Sequence, residues 1–361
     1  MHKQILTSAL TLAGMAFAAQ FARAQTENAK TAEQVYKNIT ELKGTPANQL
    51  IPAMQFIASS LGVECGFCHV QGKMDADDKG AKRTARQMMA MTAAINKNNF
   101  GGRQQITCYS CHHGLSHPAG VPPVLESDMP MRTEAAPGAP AGAAATADEI
   151  LARFVDALGG AEAIRKITSR VMQGVIVTGG NQTPIELFTK APNERISISH
   201  MGGADSYTAF DGTAGWLGTT GHPAREMTPA ESAAAGLDAE FYLPLRLKEI
   251  YPQLRRGRPE EIRGVECETL NGTAPGHPAV RLYFEKTTGL LLRMVRYADT
   301  PMGRMPTQID YADYRNAGGA KAAYRWTLSR PNGRFTIQIS EMKTNVPIED
   351  ARFRKPAGEV K

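Results

Sequence analysis

Residues 65–70 of the chain read CGFCHV, and residues 108–114 read CYSCHHG. Each stretch is a C-x-x-C pair followed at once by histidine. The chain has five cysteines, so these two motifs contain all but one of them. Zinc sites, redox dithiols, disulfides and covalently attached haem all use cysteines at this spacing. The rest of the sequence separates these possibilities.

The histidine that follows each pair favours haem. Zinc does not require a histidine directly after the second cysteine in both motifs. A thioredoxin-like dithiol belongs between a strand and a helix, and two disulfides would leave both histidines without a role. C-x-x-C-H is the attachment signature of c-type haem, because two thiols on one short turn reach the porphyrin and the next histidine reaches the iron. We therefore predict two covalently bound haem c groups, held by Cys65, Cys68, Cys108 and Cys111.

The sequence around the motifs has helical periodicity. Residues 31–44 open with a capping box (Thr31 and Gln34), residues 45–62 end at Gly62, and residues 84–99 are followed by Gly101. These signals predict three helices. We predict that His69 and His112 are the proximal iron ligands.

A methionine-bearing helix precedes each motif. The segment TARQMMAMTAAIN…ITCYSCHHG resembles the cytochrome subunit of photosynthetic reaction centres, whose haem units each contain a helix with an axial methionine, a turn and C-x-x-C-H. MQFIASSLGVECGFCHV resembles an earlier unit of the same kind, and the resemblance covers residues 35–114. It implies that Met54 is the distal ligand of the first haem and Met88 that of the second, with Met91 as the alternative to Met88.

The sequence also departs from that family. The reaction-centre subunit usually has four haems, whereas this chain has two motifs, and His113 stands where the family commonly has arginine. The long C-terminal region has no counterpart there. The resemblance therefore implies a multihaem electron carrier for redox proteins, a membrane electron-transfer complex or a reaction centre, but a role in photosynthesis does not follow.

Axial ligation decides between electron transfer and catalysis. A histidine and a methionine on one iron leave no open face, which argues against a peroxidase. His113 and His117 are alternative ligands, although their positions favour an exposed haem edge. A dihaem peroxidase-like or substrate-oxidising enzyme with one open haem remains the second hypothesis, and a hydrophobic-ligand carrier with a haem module the third.

Residues 1–24 have a basic start, an apolar run and an A-x-A-like end, which predicts a cleaved signal peptide and a periplasmic protein. The formal charge is +6, and removal of Lys3 and Arg23 with the signal lowers it to +4. No lysine or arginine tract is present, which argues against a nucleic-acid partner.

The remaining sequence predicts a multi-domain chain, α followed by α+β. A dihaem cytochrome domain would span residues 25–117, and a Pro/Ala/Gly-rich linker residues 118–145. Residues 146–361 alternate with period two and carry hairpin signals, NG at 332–333 and DG at 211–212, so we predict a curved antiparallel sheet with helices. The stretches FVDALGGAEAIRKI (154–167), AFDGTAGW (209–216) and GLLLRM (289–294) resemble exported lipoprotein-carrier domains, half-barrels that hold a lipid-like ligand, which implies a hydrophobic ligand. Cys267 is expected to be a buried strand residue.

Overall fold

The computed structural model describes residues 30–118, 145–331 and 333–355. The predicted signal peptide, nearly all of the predicted linker and Asn332 lie outside the described residues. The chain divides into two compact units. The helical unit contains residues 30–118 with the segment Thr300–Gly303, and the sheet unit contains the other described residues.

The helical unit confirms the helices predicted before each motif. Its α-helices are α1 (Ala32–Val35), α2 (Leu50–Leu61), α3 (Cys65–Cys68), α4 (Gly80–Phe100) and α5 (Cys108–His112), with a 3-10 turn at Ala47–Gln49. Helices α2 and α4 each end at a left-handed glycine, Gly62 and Gly101, as the sequence predicts. Among the described residues, no helix has the length and hydropathy needed to cross a bilayer.

The first helix is much shorter than the predicted segment 31–44. Its capping box is present, but the backbone is already extended at Tyr36 and left-handed at Asn38. The chain then folds back on α1, since the Gly44 amide donates to the Glu33 carboxylate and the Ala32 amide donates to the Thr45 carbonyl. The Ala32 amide lies in the first turn, where a helix offers no internal acceptor, so the returning chain satisfies a donor at the helix N-terminus.

The sheet unit contains helices α6 (Ala147–Ala157), α7 (Ala161–Arg165), α8 (Pro229–Ala239) and α9 (Leu243–Ile250). Its strands are β1 (Ser169–Thr178), β2 (Asn181–Lys190), β3 (Glu194–His200), β4 (Asp205–Asp211), β5 (Gly215–Thr219), β6 (Arg225–Glu226), β7 (Arg255–Arg256), β8 (Glu260–Ile262), β9 (Val265–Ala274), β10 (His277–Glu285), β11 (Leu291–Thr300), β12 (Gly303–Ala317), β13 (Ala320–Arg330) and β14 (Gly333–Thr344).

All fourteen strands belong to one sheet, in the order β6-β5-β4-β3-β2-β1-β14-β13-β12-β11-β10-β9-β7, with β8 paired to β9. The sheet is open over the described residues, with β6 and β7 at its edges. The DG turn predicted at 211–212 joins β4 to β5. The predicted fold class, helices followed by a large antiparallel sheet with helices, is confirmed.

The four helices of the sheet unit contribute side chains to an apolar cluster with the strands. Phe154 of α6 and Leu247 of α9 are buried with the strand residues Leu270, Leu282 and Phe284 in one apolar cluster. Burial of such side chains contributes roughly 1.5–3 kcal/mol each.

Two arginines attach α8 to the strands. Arg195 of β3 donates to the Asp238 carbonyl, and Arg296 of β11 donates to the Ala234 carbonyl and the Asp238 carboxylate. Cations at a helix C-terminus are favourable because the last carbonyls carry partial negative charge. These buried charges therefore have a structural role.

Candidate haem-binding site

Each C-x-x-C pair forms a single helical turn. Cys65 begins α3 and Cys68 ends it, and the His69 amide closes the turn on the Cys65 carbonyl at 3.0 Å. Cys108 begins α5, and Cys111 precedes its last residue, His112. Side chains three residues apart lie on the same side of a helix, so both thiols of a pair can reach one porphyrin edge.

The two histidines make the same kind of hydrogen bond. Nδ1 of His69 lies 2.8 Å from the Met74 carbonyl oxygen, and Nδ1 of His112 lies 2.9 Å from the Leu115 carbonyl oxygen. A carbonyl only accepts, so Nδ1 carries the proton in both rings. The Nε2 lone pair is then available to a metal, which is how metal-ligating histidines are commonly oriented.

Burial affects one thiol of each pair. All five cysteines are unpaired, and burial raises the pKa of Cys68 and of Cys108 above the ordinary thiol value. In the described parts of the chain, no group of three or more Cys, His, Asp or Glu side chains is arranged to hold a metal ion. Each motif, with two thiols on one helical turn followed by histidine, fits a covalent haem attachment.

Within the helical unit, each helix that precedes a motif packs on the helical turn of the other motif. Helix α2, which precedes the first motif, packs on α5 of the second, and helix α4, which precedes the second motif, packs on α3 of the first. The Gly114 amide donates to the Ser60 carbonyl at 2.9 Å, and a Cβ on Gly62 would lie 2.1 Å from the Gly114 carbonyl oxygen. The two motifs therefore lie close together within one small unit.

The predicted methionine ligands lie on the helices that precede the motifs. Met54 on α2 and Met88 on α4 are both half-buried, as is Met89, whereas Met91 is 45% exposed. His113 is exposed and has a left-handed backbone, with φ at +49°. Met88 is therefore more buried than Met91.

A group of polar contacts around the first motif was missed by the sequence reasoning. Lys82 donates to the carbonyls of Met74 and Ala76 at 3.0 and 2.8 Å and lies 3.2 Å from the Asp77 carboxylate. Hydrogen bonds from Arg86 and Asn38, with Lys82, hold the pKa of Asp77 well below its usual range. Lys79 donates to the Gly66 carbonyl within α3. A lysine donating to a backbone carbonyl has no signature in sequence, so no motif could have identified these residues.

Residues 6–154 match the family model described as photosynthetic reaction centre cytochrome C subunit. The part of the chain that carries the two motifs is similar to this family. The photosynthetic reaction center cytochrome c subunit of Roseobacter denitrificans is 31% identical over 112 residues, which cover 27% of this chain and 30% of that relative. The chain therefore spans less than a third of that curated relative. The resemblance supports a cytochrome c electron carrier, and the family implies covalently bound haem c.

Solved structures with partial similarity also exist. A LolA superfamily protein from Nitrosomonas europaea is 16% identical with a TM-score of 0.42, covering 59% of this chain and 99% of its own. A DUF1329 family protein from Desulfovibrio piger is 14% identical with a TM-score of 0.40, covering 57% of this chain and 96% of its own.

Proposed function

We propose that this protein is an exported dihaem c-type cytochrome that carries single electrons between periplasmic or membrane-associated redox partners. One observation carries the proposal. Both C-x-x-C-H turns orient their histidine in the same way, with Nδ1 donating to a carbonyl at 2.8 or 2.9 Å and Nε2 left to bind iron.

The first site would use residues of α2 and α3. Cys65 and Cys68 would form the thioether bonds, His69 would be the proximal ligand and Met54 the distal ligand. The hydrogen bond to the Met74 carbonyl would hold the His69 ring against rotation.

The second site would use the corresponding residues of α4 and α5. Cys108 and Cys111 would hold the porphyrin, and His112 and Met88 would be the axial ligands, with Met91 as the alternative to Met88. Haem c, when bound, supplies a one-electron couple. With a histidine and a methionine on each iron, no position would remain for a substrate on the metal.

The domain organisation proposed from the sequence fits this role. Residues 1–24 would direct export and be removed, residues 25–117 would hold both haems, and residues 118–145 would connect them to the sheet domain at 146–361. The partners would be redox proteins, a membrane electron-transfer complex or a reaction centre.

The test is an anaerobic reductive titration of protein matured in an export-competent host, followed by exposure to carbon monoxide. We expect two electron equivalents per chain and no carbon monoxide adduct, because both irons have two protein ligands. Formation of an adduct at one haem would contradict the electron-carrier proposal and support an enzyme with an open haem.

A further inference from the structure

The carbonyl oxygen of Met74 accepts two hydrogen bonds. One comes from His69 Nδ1 at 2.8 Å, and the other from the Lys82 ammonium at 3.0 Å. Lys82 is 8% exposed, and it also donates to the Ala76 carbonyl at 2.8 Å. A buried ammonium is therefore bonded to the same atom that orients the proximal histidine.

The second motif lacks this arrangement. The Leu115 carbonyl accepts from His112 at 2.9 Å, and among the described residues no lysine or arginine donates to it. His69 and His112 thus make matching hydrogen bonds, but the carbonyl that accepts from His69 also accepts from Lys82. The two sites therefore differ in the charge beside the carbonyl that accepts from the histidine.

An ammonium bonded to a carbonyl withdraws electron density from the oxygen. The oxygen then accepts the His69 Nδ1–H bond less strongly, so the ring gains less anionic character and donates less to a bound metal. A buried positive charge nearby also disfavours the more positive oxidation state. Asp77 lies beside Lys82 but is shared with Arg86 at 2.9 Å, so the local charge stays positive. Both effects stabilise the reduced form.

We propose that Lys82 is a positioning residue for His69 that raises the reduction potential of the first haem through the shared Met74 carbonyl. This inference rests on the proposed function, because it requires haem at Cys65 and Cys68. It assigns a role to a residue outside the motif and predicts that the two haems differ in potential through their surroundings.

The test compares the midpoint potential of each haem in the wild type, Lys82→Met, Lys82→Arg and Lys79→Met. Lys79 is the matched control, because it donates to the Gly66 carbonyl of the same motif but has no bond to the Met74 carbonyl. We expect Lys82→Met to lower the potential of the His69 haem and leave the other unchanged. Lys82→Arg should retain most of the wild-type potential, and Lys79→Met should produce a smaller shift.

The proton NMR signal of the His69 ring N–H in the reduced protein gives a second readout. We expect it to move downfield in Lys82→Met, because the Met74 carbonyl then bonds to that proton alone. Lys82→Gln, which keeps a donor without the charge, serves if Lys82→Met fails to fold. Unchanged potentials, or equal shifts for Lys79→Met and Lys82→Met, would overturn the inference while the proposed function stands. Absence of covalent haem at the first motif in the wild type would instead overturn the proposed function.

Discussion

Met54 and Met88 are the residues on which the electron-carrier proposal depends most. Each is half-buried on the helix that precedes its motif. Methionine on an apolar helix face is also a common core residue. The neighbouring methionines Met89 and Met91 provide a comparison on the same helix.

We expect Met54→Leu and Met88→Leu each to remove about half of the near-infrared methionine-to-iron absorption of the oxidised protein. Leucine keeps the apolar volume and removes only the sulfur ligand, so folding should be retained. Met89→Leu and Met91→Leu are the matched controls and should leave the band unchanged. Loss of the band in Met91→Leu with its retention in Met88→Leu would transfer the ligand role to Met91.

At the scale of single residues, the sequence predicts the side chains that a motif specifies by type and spacing. Cys65, Cys68 and His69 follow from the motif, because attachment chemistry requires these residue types in this order. The Met74 carbonyl and Lys82 could not be predicted, since any residue supplies a carbonyl and a lysine on a helix is usually solvated. The orientation of the histidines therefore became known only with the fold.

At the scale of elements, the backbone at the end of α2 leaves no room for a side chain at Gly62. Gly62 has φ at +66°, and a Cβ there would lie 2.1 Å from the Gly114 carbonyl oxygen, directly after the second motif. Gly101 at the end of α4 has φ at +60° but no atom within 4 Å of its Cβ position. The two glycines share a backbone conformation and differ in their surroundings.

We expect Gly101→Ala to lower the free energy of unfolding by about 1–2 kcal/mol, the cost of placing an L-residue in the left-handed region. Gly62→Ala should cost a further ~1–3 kcal/mol, because the methyl group also displaces a neighbouring backbone segment. Denaturant titrations of both variants measure the difference. Equal losses would show that α2 and the loop after α5 do not pack as described.

Helix ends were more predictable than helix lengths. The capping box of Thr31 and Gln34 and the terminal glycines of α2 and α4 are local signals, and each is present in the structure. The early end of α1 depends on the return of the chain to Gly44 and Thr45, which no local pattern records. Tertiary contacts override periodicity in such a short helix.

At the scale of the whole molecule, period-two alternation and turn signals predicted an antiparallel sheet. They did not predict its order, in which β1 pairs with β14 and places the first and last strands side by side. Such a pairing joins segments far apart in sequence, so it has no local signature. In the helical unit, the reciprocal packing of α2 on α5 and α4 on α3 likewise emerged only from the structure.

The intact mass of the protein, matured in an export-competent host, tests the central claim most directly. The account predicts two covalent haems per chain, one after replacement of Cys65 and Cys68 by alanine, one after replacement of Cys108 and Cys111, and two after Cys267→Ala. A wild-type chain without covalent haem would contradict the account, and so would loss of haem in Cys267→Ala.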